Sequence, residues 1–201
     1  GDMNLSYKKS RREESPIDKI VYHIFNQMEI DGSIREFTPT NGSDERQYCS
    51  PGFNLPVGQF ARLVYGTYKE YHTSLDNKAL MGIGNLQKSV DEIELVLKAN
   101  EYNGYYINKY PYGEIKLDDY DLYPNMNGPI TSRYSSSKKI DGRHELNMIL
   151  MILNYSDGEH TLLDIADKCN DSILNFIPIV EKLVDKGILD GPYFEKRSLN
   201  R

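Results

Sequence analysis

The chain lacks tryptophan and has only two cysteines, Cys49 and Cys169, in 201 residues. Two thiols so far apart make no disulfide framework. Neither has a CxxC neighbour, which argues against a thiolate zinc site. A reducing compartment fits this usage, so a cytoplasmic protein is expected. Long apolar runs are also missing. The most apolar stretch, "LNMILMILNY" at 146–155, is too short to cross a bilayer. The opening "GDMNLSYKKSRREES" has no apolar signal core. Positive charge is in deficit: 24 Lys and Arg against 30 Asp and Glu leave a net charge of −6. Nonspecific binding to nucleic acid or to anionic lipid rests on Lys and Arg, so both are disfavoured, and no membrane partner is expected.

What remains is an ordinary globular composition, 39% hydrophobic and 27% charged, enough for one or two domains. Ser15-Pro16-Ile17-Asp18 reads as a helix start, with a capping serine, proline at the first helical position and an acid in the first turn. Ile17, Ile20, Val21, Ile24, Phe25 and Met28 follow at helical spacing. "SIREFTP" and "FNLPVGQFARLVYG" read as strands, and Leu86 to Asn100 as a helix with Leu86, Val90, Ile93 and Leu97 on its inward stripe. Helix, strand, loop, strand, helix is a piece of an α/β layered fold with an open sheet edge. "YKKSRREE" reads as a solvated run of paired charges. The segments "YYINKYPYGEI" and "NMNGPITSRYSSSKKIDG" read as an extended connection and a linker.

From Arg143 onward the pattern is helical. One helix runs to Asn154, with Leu146, Ile149, Leu150 and Leu153 inward. A second is capped by Thr161 and Asp164. A third carries Phe176, Ile177, Val180, Leu183 and Val184 inward, and Pro178 predicts that it kinks or starts late. With "ILDGPYFEK" as a closing strand, the order is that of a winged helix-turn-helix. The predicted domains are therefore 1–128 and 129–201. The third helix shows Asn175, Glu181, Lys182, Asp185 and Lys186, whose charges cancel, and the second adds Asp164 and Asp167. Phosphate contacts need net positive charge, so a packing or protein-interaction role is favoured over DNA reading.

"GSDERQYCSPGFNLP" at 42–56 is the segment with the most chemistry. Gly42, Pro51, Gly52 and Pro56 stiffen a loop that presents Asp44, Glu45 and Arg46, and rigid loops commonly present side chains to a ligand. Asp44 sits at a predicted strand end, and His72 has Tyr71, Thr73, Ser74 and Asp76 beside it to orient an imidazole. Carboxylate and imidazole are both suitable zinc ligands. Glu45 reads as a proton shuttle or an ion-pair partner of Arg46, Arg46 as a contact to a substrate carboxylate or as loop support, and Tyr71 as a contact to an intermediate or as packing. Cys49 reads as a small buried filler, and His144 and His160 as surface or cap residues.

"SDERQYCSPGFNLPVGQF" followed by "EYHTSLDN" resembles the C-terminal metal-binding region of di-zinc aminopeptidases of the aminopeptidase S and aminopeptidase Y type. The whole chain is similar to a group of bacterial proteins with such a core and a C-terminal winged helix, on "SYKKSRR", "EYHTSLDN" and "SDGEHTLLDIA" as well. The resemblance implies part of a three-layer α/β phosphorylase/hydrolase-like fold in residues 1–128. It implies zinc as cofactor, two ions held by five ligands, with Asp44 in the fourth place and His72 in the fifth. It implies hydrolysis of the N-terminal bond of a peptide or aminoacyl substrate by a metal-acidified water, with a glutamate moving the proton. Nothing upstream of Asp44 supplies the first three ligands or the base, and His23 lies on a predicted helix with no acid at suitable spacing. The chain alone is therefore expected to bind zinc poorly and to be inactive, the other ligands lying in a missing N-terminal half. The open edge predicts pairing with another chain, a homo-oligomer included, or a covering loop. A noncatalytic regulatory module with remnant ligands and a DNA-binding regulator are the other readings.

Overall fold

The computed structural model describes residues 4–124, 129–130 and 140–197. The chain divides into two compact units, residues 1–100 and 101–201. The first unit begins with strand β1 (Leu5–Lys8), helix α1 (Pro16–Gln27) and strand β2 (Gly32–Arg35). β1 and β2 pair in parallel, Tyr7 opposite Ile34, and α1 is the crossover that a parallel pair requires. A one-turn helix α2 (Glu45–Tyr48) follows, then strand β3 (Gln59–Ala61), which pairs antiparallel to β1 with Phe60 opposite Tyr7. The sheet order is β2-β1-β3. Helix α3 (Ile83–Tyr102) closes the unit, its last two residues counted with the second.

The core of this unit differs from expectation at both ends. Residues 5–8 form the central strand, so Tyr7 and Lys8 leave the predicted solvated run, and Leu5, Ser6, Tyr7 and Lys8 are all buried. Alternate residues of a strand face opposite ways, so four buried in a row mean that both faces are covered, and even the lysine goes inside. The second predicted strand shrinks to three residues. The α1 pattern holds: Ile20, Val21, Ile24 and Phe25 are buried. The α3 stripe does not, since Leu86, Val90 and Leu97 are exposed while Glu92, Val96 and Ala99 are buried.

The second unit is built on strand β4 (Tyr105–Asn108), which lies between β7 (Asp157–Thr161) and β8 (Leu189–Tyr193) and is antiparallel to both. Strands β5 (Pro129–Ile130) and β6 (Ile140–Asp141) form a separate two-stranded pair. Helices α4 (Gly142–Tyr155), α5 (Leu162–Lys168) and α6 (Ile173–Asp185) pack on one another. The division falls at 100/101 rather than the predicted 128/129, because the segment read as a connection supplies the middle strand of the second sheet. Most of the predicted linker, 125–128 and 131–139, lies outside the described residues.

Thr161 caps α5 as predicted: its hydroxyl accepts from the Asp164 N–H at 3.2 Å, and its own N–H donates to the Asp164 carboxylate at 2.8 Å. On α4 the buried apolar side chains are Met148, Ile149 and Ile152, while Leu150 is exposed. Nearly every position from 146 to 153 is apolar, so the pattern could not choose a face, and packing did. α6 starts five residues before Pro178 and continues past it, and Pro178 is exposed. The order α4-β7-α5-α6-β8 is that of a winged helix. Here β4, from upstream of all three helices, fills the central place in the sheet, and no strand follows β8 among the described residues.

Candidate functional site

The loop of residues 38–45 is fastened from within by Lys8. Its ammonium donates to the carbonyls of Thr38 (2.9 Å) and Asn41 (2.6 Å) and to Glu45 Oε1 (2.9 Å). All three donors of the ammonium are thereby used, and the side chain is 0% exposed. Glu45 is buried too, and its other oxygen accepts the Ser43 N–H at 2.9 Å. Burial opposes ionisation of Glu45, but the Lys8 ammonium and the N–H groups of Ser43 and Glu45 outweigh it and hold the carboxyl below its ordinary range. Glu45 is thus the ion-pair partner of Lys8, not of Arg46, and its buried carboxylate is fully engaged in structure.

The glycines close the fit. A Cβ on Gly42 would sit 2.3 Å from Glu45 Oε1, and one on Gly58 would sit 2.1 Å from the Tyr7 hydroxyl oxygen. Behind the loop, Tyr7 stacks at a tilt on Phe60 (4.9 Å between ring centres) and donates to Asp18 at 2.8 Å. Asp18 also accepts from the Ser10 N–H (2.8 Å), the Ser10 hydroxyl (2.6 Å), the Ser15 N–H (3.1 Å) and the Ser15 hydroxyl. Burial acts against this carboxylate, yet the bonds from Ser10, Ser15 and Tyr7 prevail and depress its pKa. Neither Lys8 nor Asp18 was singled out from the sequence. The Lys8–Glu45 pair joins residues 37 positions apart, and no local pattern records such a contact.

Pinning the loop from inside leaves its other side chains outside. Asp44 is exposed at the N-cap of α2, where its side chain makes no capping bond. Arg46 supports the loop, donating to the Pro39 carbonyl at 3.1 Å. Cys49 is the buried filler expected, its thiol 3.3 Å from the Val57 carbonyl. His72 is exposed, with a left-handed backbone (φ +59°), and its ring stacks on Tyr71 at 3.9 Å. Tyr71 is half-buried beside Tyr68 and Tyr65, at 5.6 and 6.1 Å between ring centres. Tyr71 therefore positions the imidazole by stacking. His160 pairs with Asp157 (3.0 Å) and His144 with Asp171 (2.5 Å).

Asp44 and His72 are the right donor types for zinc, but two donors do not make a site that needs three or four. Among the described residues, no group of three or more His, Cys, Asp or Glu side chains could hold a metal. The residues present do not complete a zinc centre. Among the described residues, too, no helix is long and apolar enough to cross a membrane.

The third winged-helix element has its N-terminal end buried. Ile173, Leu174, Asn175, Phe176 and Ile177, the first five residues of α6, are all buried. A DNA recognition helix reads bases with its N-terminal residues. Farther along α6, Tyr102 donates from its hydroxyl to Glu181, a bond that pushes the phenol up to about 12.

Comparison with known proteins agrees with this division. Residues 104–191 match a winged helix-turn-helix family. A Clostridium acetobutylicum protein named "Putative polysaccharide biosynthesis protein with aminopeptidase-like domain" is 37% identical over 169 residues, covering 84% of this chain and 36% of that protein. A crystal structure of a "putative peptidase" from the same organism superposes with a TM-score of 0.74 at 30% identity, covering 94% of this chain and 39% of the other. The chain thus spans less than two fifths of either relative's length. The mixed α/β architecture with a winged helix is shared with that peptidase structure. Residues 1–103 match the family described as "Domain of unknown function (DUF4910)", and with just over half of its length in that match the chain belongs to this family.

Proposed function

We propose that this chain is one portion of an aminopeptidase-like hydrolase, and that Asp44 and His72 are its contribution to a di-zinc centre completed by donors from outside these residues. The observation that carries this reading is the loop anchored by buried Lys8, which holds Asp44 in solvent without a capping role. Similarity to two relatives named as peptidase or aminopeptidase-like supports it. The reaction is hydrolysis of the N-terminal bond of a peptide or aminoacyl substrate in a cytoplasmic setting, and the 201-residue chain alone is inactive. Arg46 and Tyr71 act as loop support and as a platform for His72 rather than as reacting groups.

The test grafts this chain into the Clostridium acetobutylicum relative in place of the span it matches. The graft is expected to retain zinc by elemental analysis and to cleave aminoacyl-anilides, and Asp44→Ala or His72→Ala is expected to abolish both. Retained zinc and activity in both variants would overturn the assignment. The chain by itself is expected to take up zinc no more tightly than about micromolar in calorimetry, since two ligands fall short of a site.

A second reading concerns the winged helix, which acts as a protein-interaction or regulatory module and not as a DNA reader. The buried N-terminal half of α6 favours it. A gel shift at low salt should show no salt-sensitive complex at micromolar protein, and its appearance would sink this reading.

A further inference from the structure

Helix α3 has apolar residues on two sides, and among the described residues one side is buried and the other exposed. Glu92, Val96 and Ala99 are buried, and Glu92 binds the Arg62 guanidinium, whose Nε also donates to Ser89 Oγ at 2.6 Å and to the Asn85 carbonyl at 3.2 Å. That side is anchored by an ion pair to Arg62, the residue after β3. The other side carries Ile83, Leu86, Val90 and Leu97, exposed by 86, 50, 58 and 61%. At 100° per residue these four fall within about 60° of arc, facing away from Val96 and Ala99. Met81, 59% exposed, precedes the helix. Beside it opens an apolar hollow of about 290 Å³, lined by Leu5, Phe60, Leu63, Met81, Leu86 and Ile93 among others. Contiguous apolar surface of this kind marks an interface.

We propose that this outward stripe of α3, with the hollow beside it, is the seat of the portion that these peptidase-named relatives carry beyond the span matched by this chain. Two independent facts identify the occupant. The chain matches over most of its own length but over only 36 and 39% of the relatives, so most of their mass lies outside the match. The unit that carries the stripe is also the unit whose three-stranded sheet has β2 and β3 as its edges, which further chain can extend. A partner of that size covers the stripe and can bring further donors. The inference rests on the preceding reading for the identity of the occupant only, and not on zinc.

Thiol labelling tests it. Val90→Cys and, separately, Leu97→Cys are placed in a Cys169→Ser background, both in the 201-residue chain and in the graft described above. In the chain alone both thiols are expected to react with maleimide at the rate of an exposed thiol. In the graft both are expected to slow by at least about tenfold, because reaction then waits on local opening. Tyr112→Cys, at a residue 90% exposed in the second unit, reports a freely reacting thiol in either protein. Equal rates for positions 90 and 97 in chain and graft would overturn the proposal. Protection already present in the chain alone, growing with its concentration, would overturn it in favour of a second copy. Zinc content of the same graft separates the two ideas: protected thiols without zinc leave the docking surface standing and remove the metal assignment.

Discussion

Lys8 holds the candidate loop with three hydrogen bonds and no exposure to water. Removing one member of a buried ion pair strands the other charge, which costs about 3–5 kcal/mol. Lys8→Met should therefore lower the urea midpoint strongly, while Lys8→Met combined with Glu45→Leu should recover most of the loss. A similar loss in the double variant would mean that the carbonyl contacts, not the charge pair, hold the loop. The two buried carboxylates also set a pH dependence. Asp18 and Glu45 are held below their ordinary values of 3.8 and 4.5 when folded. A carboxyl depressed on folding adds stability that is present above its unfolded pKa and is lost as pH falls through the folded value. Unfolding free energy should therefore be flat above about pH 5 and fall below the ordinary carboxylate range. Asp18→Asn should flatten that fall, as measured by urea titrations at stepped pH. An unchanged slope in Asp18→Asn would show that other acids govern it.

Among the elements, α5 offers the cleanest case of local determination. Its reciprocal cap between Thr161 and Asp164 was legible from two residue types three positions apart, and the structure has both bonds. Thr161→Ala should cost about 1 kcal/mol, seen as a lowered midpoint for the second unit, and Thr161→Ser should cost less. α3 shows the opposite. Its existence was legible, but its inward face was not, since it bears apolar residues on two sides. The side chosen is the one where Arg62, 30 positions from Glu92, supplies an ion pair. Arg62→Met should therefore destabilise the first unit more than Leu97→Ser does. In thermal unfolding the Leu97→Ser variant should stay close to the parent chain, because Leu97 lies in water already.

At the scale of the whole molecule the chain is two compact units that meet in sequence at residue 100. Residues 101–201 contain a complete sheet, β7-β4-β8, and three helices packed together. This segment expressed alone should unfold cooperatively with helical circular dichroism, whereas a segment beginning at residue 129 would lack the middle strand, Tyr105–Asn108, and should not fold. The first unit should be the less stable, given the exposed apolar stripe of α3. Composition and periodicity determined by themselves that the chain is globular and acidic, that α1, α3, α4, α5 and α6 exist, and that the C-terminal order is that of a winged helix. All of these follow from information within a few residues: caps, helical spacing and charge count. Only tertiary structure decided that Lys8 lies inside and answers Glu45, that residues 105–108 are a central strand and not a tether, and that α3 turns Leu86, Val90 and Leu97 to water. Each of these depends on contacts between residues distant in the chain, and burial of a charge or an apolar face is settled by the partner it meets there, not by its neighbours in sequence.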